Sequence, residues 1–136
     1  MIRPLPQTEA KRRYGYLSME LALTLPILGI VLMGLLEFTL LFYGRTLVVE
    51  ASRTGARVAT MPGVTPEEVD AAIRQTLSPV MQDAMTITVD PGEDSGDVVS
   101  VAVAVPMRAA SPDLLWPIGF SLQGRELYSE TRMLRE

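Results

Sequence analysis

The chain has 136 residues, a formal net charge of −4 at pH 7, and neither histidine nor cysteine. The absent cysteines exclude disulfides and thiol catalysis, and the absent histidines remove the usual general base and the commonest transition-metal ligand. The mild negative charge argues against a nucleic-acid-binding protein, because phosphate contacts require a basic face. No nucleophile-plus-base pair is visible among the remaining residue types, so the sequence favours a protein that is not an enzyme and uses no cofactor.

The apolar run from residue 17 to residue 43 is the most prominent feature of the chain. As a helix it is about 40 Å long, which exceeds the roughly 30 Å hydrocarbon core of a bilayer. A secretory signal has an apolar core of only about 7–15 residues, so we expect the run to be kept as a transmembrane helix over residues 16–44. A buried core helix is the alternative, but the rest of the chain is too small to surround it.

The residues before the span form a basic leader, 1–15, in which Lys11, Arg12 and Arg13 adjoin the apolar run. Basic residues beside a span keep that side of the protein cytoplasmic. We therefore predict a single-pass protein with a cytoplasmic N-terminus and the remainder of the chain outside the inner membrane.

Two carboxylates lie within this apolar region. With Ile30 as the midpoint, Glu20 lies about 15 Å before it and Glu37 about 10 Å beyond it, at about 1.5 Å per residue. A charge at a bilayer centre costs a few kcal/mol and usually has a function. Glu20 is therefore either an interfacial acid or a functional group. Glu37 either marks the outer boundary or makes a second contact between subunits.

The stretch "KRRYGYLSME" places basic residues and then Gly15 five positions before Glu20, at the start of an apolar helix. This pattern resembles a type IV prepilin processing site. The resemblance implies that a prepilin peptidase cuts between Gly15 and Tyr16. It also implies that Glu20 then pairs, inside the hydrocarbon, with the free α-amino group of a neighbouring subunit.

The longer stretch from Gly15 to Arg57 is similar to the TadE-like family of tight-adherence (Tad/Flp) pilus pseudopilins. The residues that carry the similarity are Glu20, Ala22–Leu23, Leu25–Pro26, Glu37 and Gly55–Ala56–Arg57. The resemblance implies a structural minor pseudopilin of a bacterial inner membrane, which acts in pilus assembly or secretion with other pseudopilins or assembly platform proteins. An alternative is a single-pass anchor that presents a small periplasmic binding domain unrelated to pili.

Beyond the span, residues 45–61 continue the helical pattern as an extramembrane extension, which Pro62 and Gly63 end. Small residues at spacings of seven and four share one face of this helix: Gly44, Ala51, Gly55 and Ala59. Such a stripe lets another element approach closely. That element is either the protein's own outer module or a partner subunit.

Residues 62–136 are predicted to form this outer module, periplasmic or extracellular, which makes the whole chain an α+β protein. Thr65, Pro66 and Glu68 provide the cap, first residue and capping box of one helix. Its apolar stripe is Val69, Ala72, Ile73, Thr76 and Leu77. Runs at 85–89, 98–107 and 125–134 predict an antiparallel sheet of about three strands, in which residues 99, 101, 103 and 105 face the core.

The loop between the first two strands contains Asp90, Glu93, Asp94 and Asp97, a weak candidate for a calcium site. Their spacing does not match an EF-hand, and a solvated hairpin tip explains the acids more simply. Trp116, in the second long loop, is predicted to be a core plug or a contact patch.

Overall fold

The computed structural model describes residues 9–135, with side chains from Gly15 onward. The helices are α1 (Glu9–Ala59), α2 (Pro66–Thr76), α3 (Pro79–Ala84) and α4 (Met107–Ala110), and a 3₁₀ turn covers Trp116–Ile118. The strands are β1 (Thr86–Asp90), β2 (Val98–Pro106) and β3 (Glu126–Leu134). A long N-terminal helix followed by a small three-stranded antiparallel module confirms the predicted α+β class.

Helix α1 contains 51 residues and is therefore about 75 Å long. Between Gly15 and Leu36 its residues are exposed, apart from two half-buried glycines, whereas from Glu37 onward one face is buried beneath the rest of the chain. The stretch from Gly15 is long and apolar enough to cross a membrane. The predicted membrane helix and its extension are thus one uninterrupted element that changes its surroundings near Glu37.

Helix α2 begins and packs as its sequence predicts. The Thr65 hydroxyl accepts a hydrogen bond from the Glu68 amide, and the Glu68 carboxylate accepts one from the Thr65 amide, which completes the capping box. Val69 and Ile73 are buried. Pro79 begins a further helix, α3, after an extended residue at Ser78. This helix was not among the predicted elements, although proline is well suited to the first position of a helix.

The sheet has the order β1-β2-β3 with both pairs antiparallel. Ile87 lies opposite Val103 in the first pair, and Val103 lies opposite Ser129 in the second. The alternating valines of β2 are completely buried, as predicted: Val99, Val101, Val103 and Val105. Strand alternation places successive side chains on opposite faces, so the sheet has one core face and one open face.

The core lies between the core face of the sheet and helices α1 and α2. Ala51 and Ala56 of α1 join three buried valines of β2 and the buried residues Val69 and Ile73 of α2 in one cluster. A polar contact also crosses this interface, because the buried Ser52 hydroxyl lies 2.9 Å from the hydroxyls of both Ser129 and Thr131 on β3. The module is therefore built directly onto the second half of α1.

Close packing at Gly55 leads to a prediction about this interface. A Cβ added at Gly55 would lie 2.7 Å from the Ile73 side chain and 3.1 Å from Val101. Overpacking of this kind costs typically about 1–3 kcal/mol, so Gly55→Val should lower the unfolding temperature of the module. The measurement is thermal unfolding of the detergent-solubilised chain followed by near-ultraviolet circular dichroism.

Gly29→Val is the matched control on the same helix, since a Cβ at Gly29 meets nothing within 4 Å. An equal effect of the two substitutions would contradict the packing described above.

Candidate functional site

Glu20 lies on the exposed part of α1, on a face that it shares with Tyr16 and Thr24. These residues, with Met19 and Leu23, line a shallow groove along the helix. The Thr24 hydroxyl donates a hydrogen bond to the Glu20 carbonyl oxygen at 2.6 Å, so the helix backbone satisfies this polar group. Within residues 15–135, the hydrogen bonds and ion pairs do not include the Glu20 carboxylate. The carboxylate is therefore presented outward on an otherwise apolar surface.

The proposed processing position lies inside the helix rather than in a loop. Gly15 and Tyr16 both belong to α1, Tyr16 is exposed, and a Cβ at Gly15 would meet nothing within 4 Å. Residues 1–8, and the side chains of the basic cluster at 11–13, lie outside the described residues. Gly15 and Tyr16 are thus not covered by residues 15–135, and glycine weakens a helix at such a point.

Glu37 has surroundings opposite to those of Glu20, because its side chain is completely buried. One carboxylate oxygen accepts hydrogen bonds from the backbone amides of Leu114 and Leu115, both at 2.9 Å. The other oxygen, Oε1, is buried and has no partner in the described part of the chain. Glu37 therefore makes an intramolecular contact, which neither of the alternatives from the sequence anticipated.

The loop that contacts Glu37 runs from Ser111 to Gly124, and we call it the Trp loop. Leu115 is buried, and a Cβ added at Gly34 of α1 would lie 3.7 Å from its side chain. The ring of Phe120 lies 5.9 Å from that of Phe38, and the Arg125 guanidinium lies over Phe120 at 5.1 Å. The Trp loop is thus fixed to α1 by apolar contacts on both sides of the buried carboxylate.

Asp113 fixes the fold of the Trp loop itself. Its Oδ2 accepts hydrogen bonds from the Ser121 hydroxyl at 3.1 Å and from the Leu122 amide at 3.3 Å. The Arg108 guanidinium lies 3.8 Å from the same oxygen. These contacts join the two arms of the loop, so that Leu114 and Leu115 are presented to Glu37 in one conformation.

The small-residue stripe of α1 faces the protein's own module. A Cβ at Gly44 would lie 2.6 Å from the Ala110 Cβ and 3.2 Å from Leu127, and Ala51 is completely buried. Together with the distances at Gly55, these observations place three residues of the stripe against the protein's own module. In the described part of the chain, this placement favours the first of the two alternatives left by the sequence.

Pro26 and Arg57 of the family pattern are exposed, whereas Ala56 is completely buried. Pro26 lies inside α1, in the part without contacts to the module, and Arg57 lies in the last turn of the helix. A cation near a helix C-terminus interacts favourably with the helix dipole. The structure gives Arg57 no further contact through its guanidinium within residues 15–135.

The acidic loop between β1 and β2 uses its carboxylates for its own backbone. Asp97 Oδ2 accepts hydrogen bonds from the amides of Glu93 and Asp94, and Asp90 Oδ1 lies 3.5 Å from the Gly92 amide. Within residues 15–135, no group of three or more acidic side chains is placed to hold a metal ion. The geometry matches a hairpin tip.

A polar network occupies the open face of the sheet. The Glu130 carboxylate accepts hydrogen bonds from Arg132 Nε at 2.7 Å and from the Tyr128 hydroxyl at 3.1 Å. The bond from Arg132 lowers the pKa of Glu130, and the bond from Tyr128 acts in the same direction. The bond to Glu130 raises the pKa of Tyr128. All three groups are solvent-exposed, so the network orders this face without forming an enclosed site.

The two buried amide contacts of Glu37 lead to a prediction. Glu37→Ala leaves the Leu114 and Leu115 amides without an acceptor, and a buried unsatisfied donor costs about 1–3 kcal/mol. Glu37→Gln retains a carbonyl oxygen and should have a smaller effect. We expect hydrogen exchange at these two amides to be fastest in Glu37→Ala, slower in Glu37→Gln and slowest in the wild type. Glu50→Ala, on the exposed face of the helix, is the control and should exchange like the wild type. Equal exchange in all four proteins would contradict the assigned contact.

Comparison with known proteins identifies only the helical part of the chain. The family model described as "TadE: TadE-like protein" matches residues 15–57, which is less than half of the chain. Searches among curated proteins and among solved structures found no match. The matched stretch begins at Gly15, includes Glu20 and Glu37, and ends at Arg57. The resemblance predicted from the sequence is confirmed over the residues that carried it: the long helix of this protein matches the TadE-like family.

Proposed function

We propose that this chain is a structural minor pseudopilin of the TadE-like type, which acts in the assembly of a Tad/Flp pilus or in secretion. The family match and a helix that can span a membrane together fit a Tad pilus-related protein. The observation that carries the finer proposal is the outward-facing Glu20 on the exposed apolar part of α1. The protein contributes contacts rather than chemistry, and bond cleavage belongs to the peptidase that processes it.

The proposed role of Glu20 is to pair with the α-amino group of an adjoining subunit. Cleavage after Gly15 creates such an amine on Tyr16. Opposite charges attract strongly in a medium of low dielectric, and each offsets part of the other's burial cost. Glu20 is suited to this contact because no described side chain of its own chain satisfies the carboxylate.

The surface proposed for partner subunits is the part of α1 from residue 16 to residue 33. The Trp loop and the module cover one face of the helix from Gly34 onward, and the glycines of the stripe contact Ala110 and Ile73. The groove lined by Tyr16, Glu20 and Thr24 lies within the uncovered part. We therefore assign the contacts between subunits to the first half of the helix, within the membrane. The second half of the helix packs against the module of its own chain.

The proposed topology follows from the same helix. The basic leader remains on the cytoplasmic side, α1 crosses the inner membrane once, and the module lies in the periplasm or outside the cell. The proposed partners are a prepilin peptidase on the cytoplasmic side of the span, other pseudopilins within the membrane, and proteins of the assembly platform.

Processing gives the first test. In a native host with an active prepilin peptidase, we expect the mature protein to lack residues 1–15 and to begin at Tyr16. Intact-protein mass spectrometry measures this directly, and a strain without the peptidase is the control. A leader that is retained in both strains would contradict the proposal and favour the single-pass anchor with a small binding domain.

Replacement of Glu20 gives the second test. We expect Glu20→Ala to leave membrane insertion and protein level unchanged but to abolish pilus formation, because the amine of the adjoining subunit loses its counter-charge. Glu50→Ala, an acid on the exposed face of the same helix, is the matched control. The measurements are membrane fractionation and pilus counts by electron microscopy. Normal pili in the Glu20→Ala strain would contradict the assigned role.

A further inference from the structure

The tip of the Trp loop exposes large apolar side chains to its surroundings. Trp116 is 67% exposed and Ile118 is 55% exposed, and Pro117 between them is also exposed. The neighbouring Leu115, by contrast, is 8% exposed and holds the loop on α1. The tip therefore presents an apolar surface that the protein itself does not cover.

The tip lies beside α1, near the end of the exposed apolar part of this helix. The Leu115 amide donates to Glu37 and the Phe120 ring lies beside that of Phe38, so the loop lies beside the helix at the level of residues 37–38. On its other faces the helix exposes apolar side chains at the same level and beyond it: Leu35, Leu36, Phe42 and Tyr43. The exposed apolar side chains of the tip thus lie at the same level along α1 as apolar side chains that a membrane-spanning α1 presents to lipid.

We infer that the tip of the Trp loop inserts into the outer interface of the same membrane that α1 crosses, where Trp116 and Ile118 contact lipid. Tryptophan is enriched at this depth of a bilayer because its ring is apolar and its indole N–H is polar. The inference rests on the membrane-spanning role of α1, and it is independent of Glu20 and of pilus assembly.

The backbone of the loop is suited to such a position. An irregular backbone enters a membrane only where its polar groups are satisfied internally. Five of the six N–H groups between Leu114 and Phe120 donate within the protein: two to Glu37, and those of Ile118, Gly119 and Phe120 to carbonyl oxygens of the loop. The buried carboxylate of Glu37 therefore removes two donors that lipid could not satisfy.

Two arginines lie beside the aromatic residues Phe120 and Phe38, where the Trp loop meets α1. Arg125 lies over Phe120, and Arg45 ends an apolar groove between α1 and β3 that Phe38 and Leu127 also line. Both arginines are exposed. Long cationic side chains at this depth extend towards lipid phosphates. In a membrane interface, apolar side chains lie deeper and cationic side chains lie at the level of the phosphates. An apolar loop tip with arginines nearer the module fits this arrangement.

The inserted loop also defines where the span ends. The helix from Gly15 to Glu37 is about 33 Å long at 1.5 Å per residue, close to the roughly 30 Å hydrocarbon core. The span of 16–44 expected from the sequence would be about 42 Å long by the same rise and would need a marked tilt. The Trp loop places the outer boundary near Glu37 and fixes the height of the module above the membrane.

Trp116 is the one tryptophan of the chain, so its fluorescence reports on the loop without labelling. The full chain is reconstituted into phosphatidylcholine and phosphatidylglycerol vesicles that contain lipids brominated at shallow or deep acyl positions. We expect Trp116 to be quenched more by shallow than by deep bromines and to be shielded from aqueous acrylamide. Ile118→Asp should remove most of the lipid quenching, whereas Val80→Asp, at an exposed apolar residue of α3, should not.

A second protein separates failure of the loop contact from failure of the span. In Trp116→Phe/Leu28→Trp the reporter lies on the exposed helix near the bilayer centre, where deep bromines should quench it most. If this reporter is quenched and Trp116 is open to acrylamide, the inference about the loop is overturned and the span stands. If neither is quenched by lipid, both are overturned.

Dilution distinguishes lipid from a second copy of the chain. Lipid contact predicts that the shielding of Trp116 persists when the protein-to-lipid ratio is lowered to about one chain per vesicle. Shielding that disappears on dilution would show that another copy covers the tip, and it would overturn the inference.

Discussion

A single helix in this protein must satisfy two different surroundings along its length. From Gly15 to Leu36, α1 is mostly apolar and exposed. From Glu37 to Ala59, one face of the helix is buried and packs in the core of the module. The same backbone continues through both parts because its hydrogen bonds are internal to the helix. Side-chain size makes the change possible: large apolar residues face outward in the first part, and glycine, alanine and serine admit the sheet and α2 in the second.

The two acids of this helix illustrate how the change of surroundings alters the use of one chemical group. Glu37 is buried and accepts two backbone amides, so the fold itself provides its partners. Glu20 has the same side chain in a part of the helix that has no fold around it. A carboxylate that no side chain among residues 15–135 satisfies needs compensation from elsewhere, and this difference is why we propose an intermolecular role for Glu20 and not for Glu37.

Much of the fold follows from local patterns, and the parts that do not follow depend on distant contacts. The Thr65–Glu68 capping box and the valines of β2 were predictable, because each pattern lies within a few neighbouring residues. The contact of Glu37 with Leu114 and Leu115 joins residues 77 and 78 positions apart, and no spacing rule indicates it. The sequence showed an acid at the end of the apolar run and, separately, the stretch "LLWPIGF". It did not show that the acid accepts hydrogen bonds from the backbone of that stretch. The direction faced by the small-residue stripe likewise required the module to be in place.

The occupation of the stripe restricts how copies of this protein can meet. If Gly44, Ala51 and Gly55 were free, neighbouring subunits could pack along the whole of α1, and the module would be carried loosely above the membrane. These residues instead pack against Ala110, Ile73 and Val101, so the module and the second half of the helix share one core. In the proposed assembly, packing between helices is then confined to the first half of α1, where Glu20 lies. There, the proposed charge contact near one end of that half and the proposed membrane contact of the Trp loop at the other would together fix the register and the height of each subunit, because the helix surface left for packing is short.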